Sequence, residues 1–492
     1  MEGFWDLLNA RKWSNNLLWL EHEFEPTEFL QRKPNTAAPQ GTARTSFLEA
    51  LKAATNLLQQ FQQLDPNGEI QPNPRFDQTF MLIHSLPILL LSKDLQPHRG
   101  TFTQVVNRRC GQFLRGEWRQ LFTTAIEQQI SHNEVDKHRS SKPSSNKQQQ
   151  IALEQARDLN YSRAMNILRS SGPAIDSPSV ILNSLQSLHP PDSAPLRQYE
   201  TPFTVPLSSF NFIDGKWLGQ QLRRSKRGTA VDQWGWDSRE MWRDILKDQP
   251  FLDDVAKYWI LPLAAGYLPE RYQSHLAGGR LTALSKAPKP GIRPVNVPDV
   301  WRRLAAKGLL THCLPELGDF FQKEHPRVFQ FATACPDGAA KMFHLINGIA
   351  ITCSLQQTHS SERLIIANLD LRNAFNEESR QLIYDFFASG CHTPPSQEAS
   401  HHTWKGWDIL WRHFEAHYST PGLLKFYHSG QVHHISSKTG TQQGDPLGTV
   451  LFSAHLQRIL HQVADAHPEI LIFAFADNVC HVQHTRSSIV PL

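Results

Sequence analysis

Two aspartates stand at the ends of apolar runs. Asp370 closes Leu364-Ile365-Ile366-Ala367-Asn368-Leu369, and Asp477 closes Ile470-Leu471-Ile472-Phe473-Ala474-Phe475-Ala476. Between them lies a Gly/Gln loop, Gly440-Thr441-Gln442-Gln443-Gly444-Asp445-Pro446-Leu447-Gly448. Carboxylates at strand ends can hold Mg²⁺ against a triphosphate, because Mg²⁺ takes carboxylate and phosphate oxygens and keeps water in its other positions. Without a cation, two carboxylates ~4 Å apart repel by roughly 4 kcal/mol at an effective dielectric of ~20. The chemistry this pattern points to is nucleotidyl transfer, with Asp370 and Asp477 as ligands and the Leu371 carbonyl as a third. Either acid alone also fits a strand-end aspartate that caps or solvates.

The neighbouring residues extend the same reading. Apolar residues flank Asp477-Asn478, a pair that tolerates tight turns, so a hairpin would lift Asp477 to its tip. An ordinary surface hairpin has the same letters. Phe375, just beyond Asp370, can wall off a nucleotide sugar and exclude a 2′-OH; core packing is its other use. Lys286-Ala287-Pro288-Lys289-Pro290-Gly291-Ile292-Arg293 sets cations on either side of a Pro/Gly turn, where Lys286 and Arg293 can grip a triphosphate. Gly444 lets a backbone approach a base or sugar, and Gln443 can donate and accept hydrogen bonds there. Gly-Asp-Pro is also ordinary turn chemistry.

These residues need strands and helices to bring them together. The chain has 492 residues, 40% hydrophobic and 20% charged, enough for a sizeable core. Net charge is only +4, compatible with nucleic acid without demanding it. Two basic runs stand out: Lys216, Arg223, Arg224, Lys226 and Arg227 without an acid, and Lys286 to Lys307 with the single acid Asp299. Either fits a solvated basic face. The six cysteines are scattered without zinc spacing, and read as free thiols. The doublets His401-His402 and His433-His434 would point to opposite faces of a strand and make poor metal clamps. No secretory signal opens the chain, and the apolar stretch Met81 to Leu91 is too short to span a bilayer and contains His84. A soluble intracellular protein without membrane contact is expected.

Along the chain, residues 1–132 read as a helical N-terminal extension. Ser46 with Glu49 forms a capping-box signature, followed by Phe47, Leu51, Ala54, Leu58 and Phe61 at helical spacing. Arg108 to Phe122 is a second helix candidate. Residues 133–150, rich in Ser, Lys and Gln, read as a flexible linker. Residues 151–211 read as a helical connector, with one helix starting at Ser177-Pro178 and stopped by His189-Pro190-Pro191. From 212 to 492 helices alternate with short apolar strands, as in an α+β fold with helices on an antiparallel sheet.

Five segments carry a resemblance in their order. They are Lys286 to Val295 with Trp301-Arg302-Arg303-Leu304, Gln330-Phe331 with Gly338-Ala339, Leu369 to Asn376, Gln442 to Gly448 with Leu451-Phe452-Ser453, and Phe475-Ala476-Asp477-Asn478. Together they resemble the reverse transcriptase family, of the non-LTR, LINE-like retrotransposon type, over about residues 222–482. The resemblance implies right-hand polymerase fingers and palm over 212–492, with core motifs at 280–482. It makes Asp370 and Asp477 the ligands of two Mg²⁺ ions, with Mn²⁺ as a substitute, and Phe375 the sugar gate. Gln443 and Gly444 would line the nucleotide pocket, Lys286 and Arg293 would be finger cations, and Arg223, Arg224, Lys226 and Arg227 would help hold template. RNA template, DNA primer and dNTP are the implied partners, and the nucleus is slightly favoured.

Three departures from the family pattern matter. Asn478 stands where a second aspartate is usual, removing one negative charge and making Asn478 a weak ligand. Val231-Asp232-Gln233-Trp234-Gly235 replaces the usual Gly-Pro-Asp-Gly turn. The chain stops shortly after Asp477, which leaves no thumb and reads as a truncated copy. The expected function is RNA-directed DNA polymerisation, weak or lost in this chain. A non-catalytic nucleic-acid binder on the same fold is the main alternative, and an RNA-dependent RNA polymerase a lesser one.

Overall fold

The computed structural model describes residues 11–486 except 94–99, 133–148, 192–204, 226–229, 287–289, 357–361, 392–405, most of 151–175, and positions 238 and 429. Nearly all of the expected linker, most of the patterning at 151–168, Lys226, Arg227 and His401-His402 lie outside the described residues.

Apolar periodicity builds the N-terminal helices α1 (Arg11–His22), α2 (Ala43–Phe61), α3 (Pro74–Leu91), α4 (Phe102–Leu114) and α5 (Trp118–His132). Phe47, Leu51, Ala54 and Leu58 line the buried face of α2, as a 3.6-residue period requires. The Ser46/Glu49 capping box does not form. The helix starts at Ala43, so Ser46 lies inside it with its hydroxyl turned back to the Thr42 carbonyl, 3.5 Å away. A capping box forms instead at Thr101 and Gln104, opening α4. The helix expected over Arg108 to Phe122 is two, α4 and α5, interrupted where Gly116 takes φ +79°.

Met81 to Leu91 is the second half of α3, and every one of its residues is buried. His84 explains its polar content. Its Nε2 faces Asp299 Oδ2 at 3.4 Å, and its ring centroid lies 3.8 Å from that of Trp301. No described helix is long and apolar enough to cross a membrane.

Further along come α6 (Pro178–Ser187), starting at the expected proline, and α7 (Gly215–Arg224). They are followed by α8 (Val300–Gln322), α9 (Gly338–Gln356), α10 (Arg380–Cys391), α11 (Gly406–Tyr418) and α12 (Gly448–Ala466). Two four-stranded sheets stand among them. The first has the order β2 (Ile292–Val297), β1 (Gly279–Ser285), β5 (Gly422–His428), β6 (Gln431–Ser437). The second has the order β3 (Val328–Gln330), β7 (Ile470–Phe475), β8 (Asn478–Arg486), β4 (Glu362–Asp370). The fold is α+β, but neither sheet is wholly antiparallel: β1 and β5 run parallel, as do β3 and β7. Long helical crossovers separate the members of each parallel pair, and such pairing needs them.

One hydrophobic core runs from Trp19 in α1 to Ala454 in α12. At its centre Trp259 and Trp301 stack 4.6 Å apart, with Trp236 against both. The N-terminal helices therefore pack into the same interior as α8 and α11. A smaller cluster fills the space between α12 and strands β3 and β7.

His413 and His417 lie one turn apart on α11, fully buried, with a ring nitrogen each on the Leu263 carbonyl at 3.2 and 3.1 Å. Burial pulls His413 down to about 4, with Arg302 adding and Asp445 opposing. Burial, His413 and Arg302 hold His417 well below its ordinary range. Both stay neutral in the fold but take up protons in the unfolded chain once pH drops below ~6.5. Their contribution is present above that pH and is lost as pH falls toward about 4. His413 alone should cost on the order of 3 kcal/mol across that window. Urea midpoints measured from pH 7 to 4.5 should fall more steeply in the wild type than in His413→Leu; parallel slopes would contradict this.

Candidate active site

Strand β4 ends at Asp370, and its register with β8 sets Asp370 directly opposite Asn478. Directly opposed residues of antiparallel strands keep Cα atoms ~4.5–5.5 Å apart with side chains on one face. Strands β7 and β8 form the expected hairpin, with Phe475 paired to Asn478. The turn residues are therefore Ala476-Asp477 rather than Asp477-Asn478. The chain continues from Asp370 into Leu371, whose N–H donates to the Asp477 carbonyl at 3.2 Å. The two acids, remote in sequence, thus share one corner of the second sheet.

The charges interact. Half-burial raises the Asp477 carboxyl above its ordinary value, the Asp370 charge raises it further, and Arg293 opposes the rise. A cation between the acids would relieve that repulsion. The donors at this corner are carboxylates, an amide and backbone carbonyls, all oxygen, which suits Mg²⁺. Among the described residues no group of three His, Cys, Asp or Glu side chains is placed to hold a metal by itself. Two carboxylates with substrate phosphates meet the usual requirement of Mg²⁺.

The turn bearing Asp477 is strained. Ala476 takes φ +54°, a left-handed conformation that costs a residue with a Cβ about 1–2 kcal/mol. What holds it is Gln330 at the end of β3. Its side chain is fully buried, and its Oε1 accepts from Ala476 N–H at 2.9 Å and from Ala332 N–H at 3.1 Å. The sequence shows Gln330 only as a motif letter.

Asn373 turns the chain after Asp370 through φ +51°, which asparagine tolerates. Phe375 stacks on Phe452 of α12, ring centroids 4.9 Å apart, and remains half-buried at the edge of the smaller core. The Gly/Gln loop lies against this segment: Thr441 N–H donates to the Phe375 carbonyl at 2.6 Å and Gly440 N–H to the Glu378 carbonyl at 2.7 Å. Gly440 has φ +58°, and a Cβ there would collide with the Phe375 carbonyl. Gly444, exposed, has φ +119°, and a Cβ would collide with the Asn296 carbonyl on β2. Gln443 is partly exposed, and its carbonyl accepts from Asn296 N–H at 2.8 Å. The loop therefore joins the two sheets.

A buried polar network fixes it. Arg302 and Asp445, each 1% exposed, pair at 2.7 Å. Tyr418 donates to the same carboxylate oxygen at 2.8 Å. Gln442 Oε1 accepts from Arg302 and from Asn296, at 3.1 and 2.8 Å. Arg380 donates to the Gly440 carbonyl, the Tyr418 carbonyl and Ser437 Oγ, and both arginines lie over the Tyr418 ring. The run Lys286 to Lys307 is thus not a solvated face throughout, because Arg302 is spent inside. Sequence patterning gave no sign of Tyr418 or Arg380. Arg302 carried the one usable signal, an arginine in the first turn after the α8 cap Asp299, following Val300 and Trp301.

The remaining candidates are peripheral. Arg293 is exposed on β2, and its charge reaches Asp477. Lys286 is exposed at the β1–β2 turn, and nothing among the described residues ties it to either aspartate. Arg223 and Arg224 are exposed on the last turn of α7. A surface hollow of about 740 Å³, lined by Arg44, Asp244 and Lys247, includes none of these residues.

No protein-family model matches the chain. Over 258 residues it is 26% identical to the retrotransposable element SLACS 132 kDa protein of Trypanosoma brucei gambiense. The chain is similar to a retrotransposon protein. That bears out the retrotransposon-type resemblance over 52% of the chain, and the match spans 19% of the relative's length. Among solved structures, apo telomerase of Candida tropicalis lacking its C-terminal domain aligns with 92% of this chain and 87% of its own, at 11% identity and TM-score 0.31. Telomerase of Candida albicans with a TWJ fragment of telomeric RNA aligns with 87% of this chain and 71% of its own, at 12% identity and TM-score 0.30. At such scores the superpositions fix neither fold nor function.

Replacing Gln330 by Ala should destabilise the protein by about 1–3 kcal/mol and accelerate hydrogen exchange at the Ala476 amide. Ala476→Gly should stabilise it by about 1 kcal/mol. Unchanged exchange in the first variant would remove the anchoring role of Gln330.

Proposed function

We propose that this chain carries the fingers and palm of an RNA-directed DNA polymerase of retrotransposon type, moving a nucleotide from dNTP to a primer 3′-OH along an RNA template. The observation that carries this reading is the register that sets Asp370 against the hairpin bearing Asp477. Supporting it are the order of the motifs in this chain and its 26% identity, over about half its length, to a retrotransposon protein.

In this reading Asp370 and Asp477, with the Leu371 carbonyl, hold two Mg²⁺ ions or Mn²⁺ in their place. Bound there, the metal supplies charge neutralisation of the triphosphate and activation of the 3′-hydroxyl. Arg293 adds positive charge on the same side as Asp477, and Lys286 extends it at the finger turn. Phe375, pinned by Phe452 on one side, offers its free edge to a sugar and leaves no room for a 2′-OH. Gln443 and Gly444 form the floor of the nucleotide pocket, since the 440–448 loop is rigidly held from behind. Arg223, Arg224, Lys226 and Arg227 meet the nucleic-acid backbone without reading sequence.

One observation favours a second reading, a nucleic-acid binder without catalysis. Asn478, an uncharged amide, stands directly opposite Asp370. It offers the metals one charge fewer than a carboxylate would.

Primer extension on an RNA template with Mg²⁺ and dNTP tests both. Asp370→Ala should reduce extension to background, and equal extension by that variant would end the ligand assignment. Asn478→Asp should raise the rate, whereas a folded variant with no gain would show that charge at the metals is not limiting. Phe375→Ala should admit ribonucleotides; unaltered dNTP/NTP discrimination would return Phe375 to packing alone. Tight hybrid binding without extension by the wild type would select the binder.

A further inference from the structure

Helix α9 lays its inner side on the second sheet, where Met342, Ile346 and Ile349 pack with Phe473, Cys480 and Val482. Its outer side is apolar as well. Phe343, Leu345, Ile351 and Leu355 are 63%, 43%, 61% and 74% exposed. No Lys, Arg, Asp or Glu occurs from Met342 to Gln356. A helix that is apolar all round is one that is covered all round. Strand β4, the open edge of the same sheet, adds Ile366 and Leu369 at 38% and 55% exposure. Between Arg363 and Asp370 it has neither a charge nor a proline, the usual protections of an exposed edge. Together these side chains expose on the order of 600 Å² of apolar surface, the upper end for a monomer and close to the ~800 Å² that each partner buries in a standard-size interface.

We propose that this face is the interface of a homodimer, in which α9 of one copy crosses α9 of a second copy antiparallel at Gly348. The outer stripe of the helix is Lys341, His344, Gly348, Ile351 and Leu355, at the three- and four-residue spacing that keeps side chains on one side. Gly348 stands at its middle, and a Cβ added there would meet nothing within 4 Å. Bare backbone at that point lets a partner helix come to the near end of the usual 8–10 Å axis separation. Lys341 and Leu355 lie equally far to either side of Gly348. An antiparallel crossing therefore sets each exposed Lys341 over the last turn of the partner helix, where open carbonyls favour a cation. Charge selects the same occupant. The stripe from Met342 to Gln356 offers nothing to hold a polyanion or a charged peptide, and against its own copy it brings no like charges together. A contact of this kind about a two-fold axis is closed and stops at the dimer. It holds whether or not the chain is a polymerase.

Sedimentation equilibrium of the full chain tests this. At micromolar concentration the wild type should sediment at twice the 56.1 kDa of one chain. Ile351→Lys and Leu355→Lys should each raise the dimer dissociation constant about a hundredfold or more, because the substitution occurs on both copies and buries a charge at the crossing. Both side chains face away from their own core, so each variant should keep the wild-type urea midpoint when measured as a monomer. Val180→Lys, at a residue 51% exposed on α6, should leave the dimer intact. Lys341→Glu should weaken it about tenfold by setting an anion over each partner's helix end. A monomeric wild type would overturn the homodimer, whatever else covers α9. Dimers undisturbed by both α9 lysine variants would overturn α9 as the interface. An unchanged dissociation constant in Lys341→Glu would overturn the antiparallel crossing.

Discussion

Arg302 and Asp445 form an ion pair sealed from water, and the arrangement around the two aspartates depends on it. Burying opposite charges brings little net stability, but removing one partner leaves the other charge uncompensated, at a cost of about 3–5 kcal/mol. The pair therefore acts as a specifier of geometry. It joins the first turn of α8 to the loop before α12, and Tyr418 brings in the end of α11. Gln442 then links the pair to Asn296 on β2. Three helices and the first sheet converge on a single carboxylate. The 440–448 loop, with its two left-handed glycines, has one conformation available to it as a result.

From that fixed loop the segment after β4 is reached through the Gly440 and Thr441 N–H groups, which bond the carbonyls of Glu378 and Phe375, and through Arg380, which bonds the Gly440 carbonyl. The Asp370 segment is thus braced from one side by the loop and from the other by β8. The hairpin turn completes the corner in a conformation that alanine disfavours, secured by a buried glutamine from β3. Strain of this kind persists where surrounding structure over-determines it, and it gathers at functional corners. Here it places half-buried Asp477 at the corner it shares with Asp370.

Much of this corner was legible in the sequence because its parts are local. An apolar run ending in an acid reads as a strand end, and alternating apolar residues around Asp477 read as a hairpin. The turn position was off by one residue, because Ala476 adopts a conformation that propensity assigns to asparagine or glycine. The buried network was not legible. Arg302, Asp445, Tyr418 and Arg380 come from four separate segments, and an arginine inside a basic run looks like a surface residue until its partner is placed. Sheet direction was likewise hidden, since parallel pairing of β3 with β7 follows from tertiary crossovers rather than from strand letters. The helix start at Ala43 shows the limit of capping rules, as tertiary packing of Ala43 extended α2 past the best-looking cap. The docking of α6 on the first sheet was invisible for a related reason: aliphatic residues such as Ile181, Leu182 and Leu185 in a short helix say nothing about which sheet they will meet.

The buried helix α3 has a consequence for synthesis. Its flanks are apolar nearly all round, and it meets Trp301 and Asp299 from far downstream. At translation speeds of about 5–20 residues per second, α3 leaves the ribosome on the order of ten seconds or more before those partners exist. For that interval the face of α3 that bears His84 waits for Trp301 and Asp299, while α1, α2, α4 and α5 can already pack against the rest of it. The yield of the chain in a cell should therefore depend on holding chaperones and on the pace of elongation through the intervening codons.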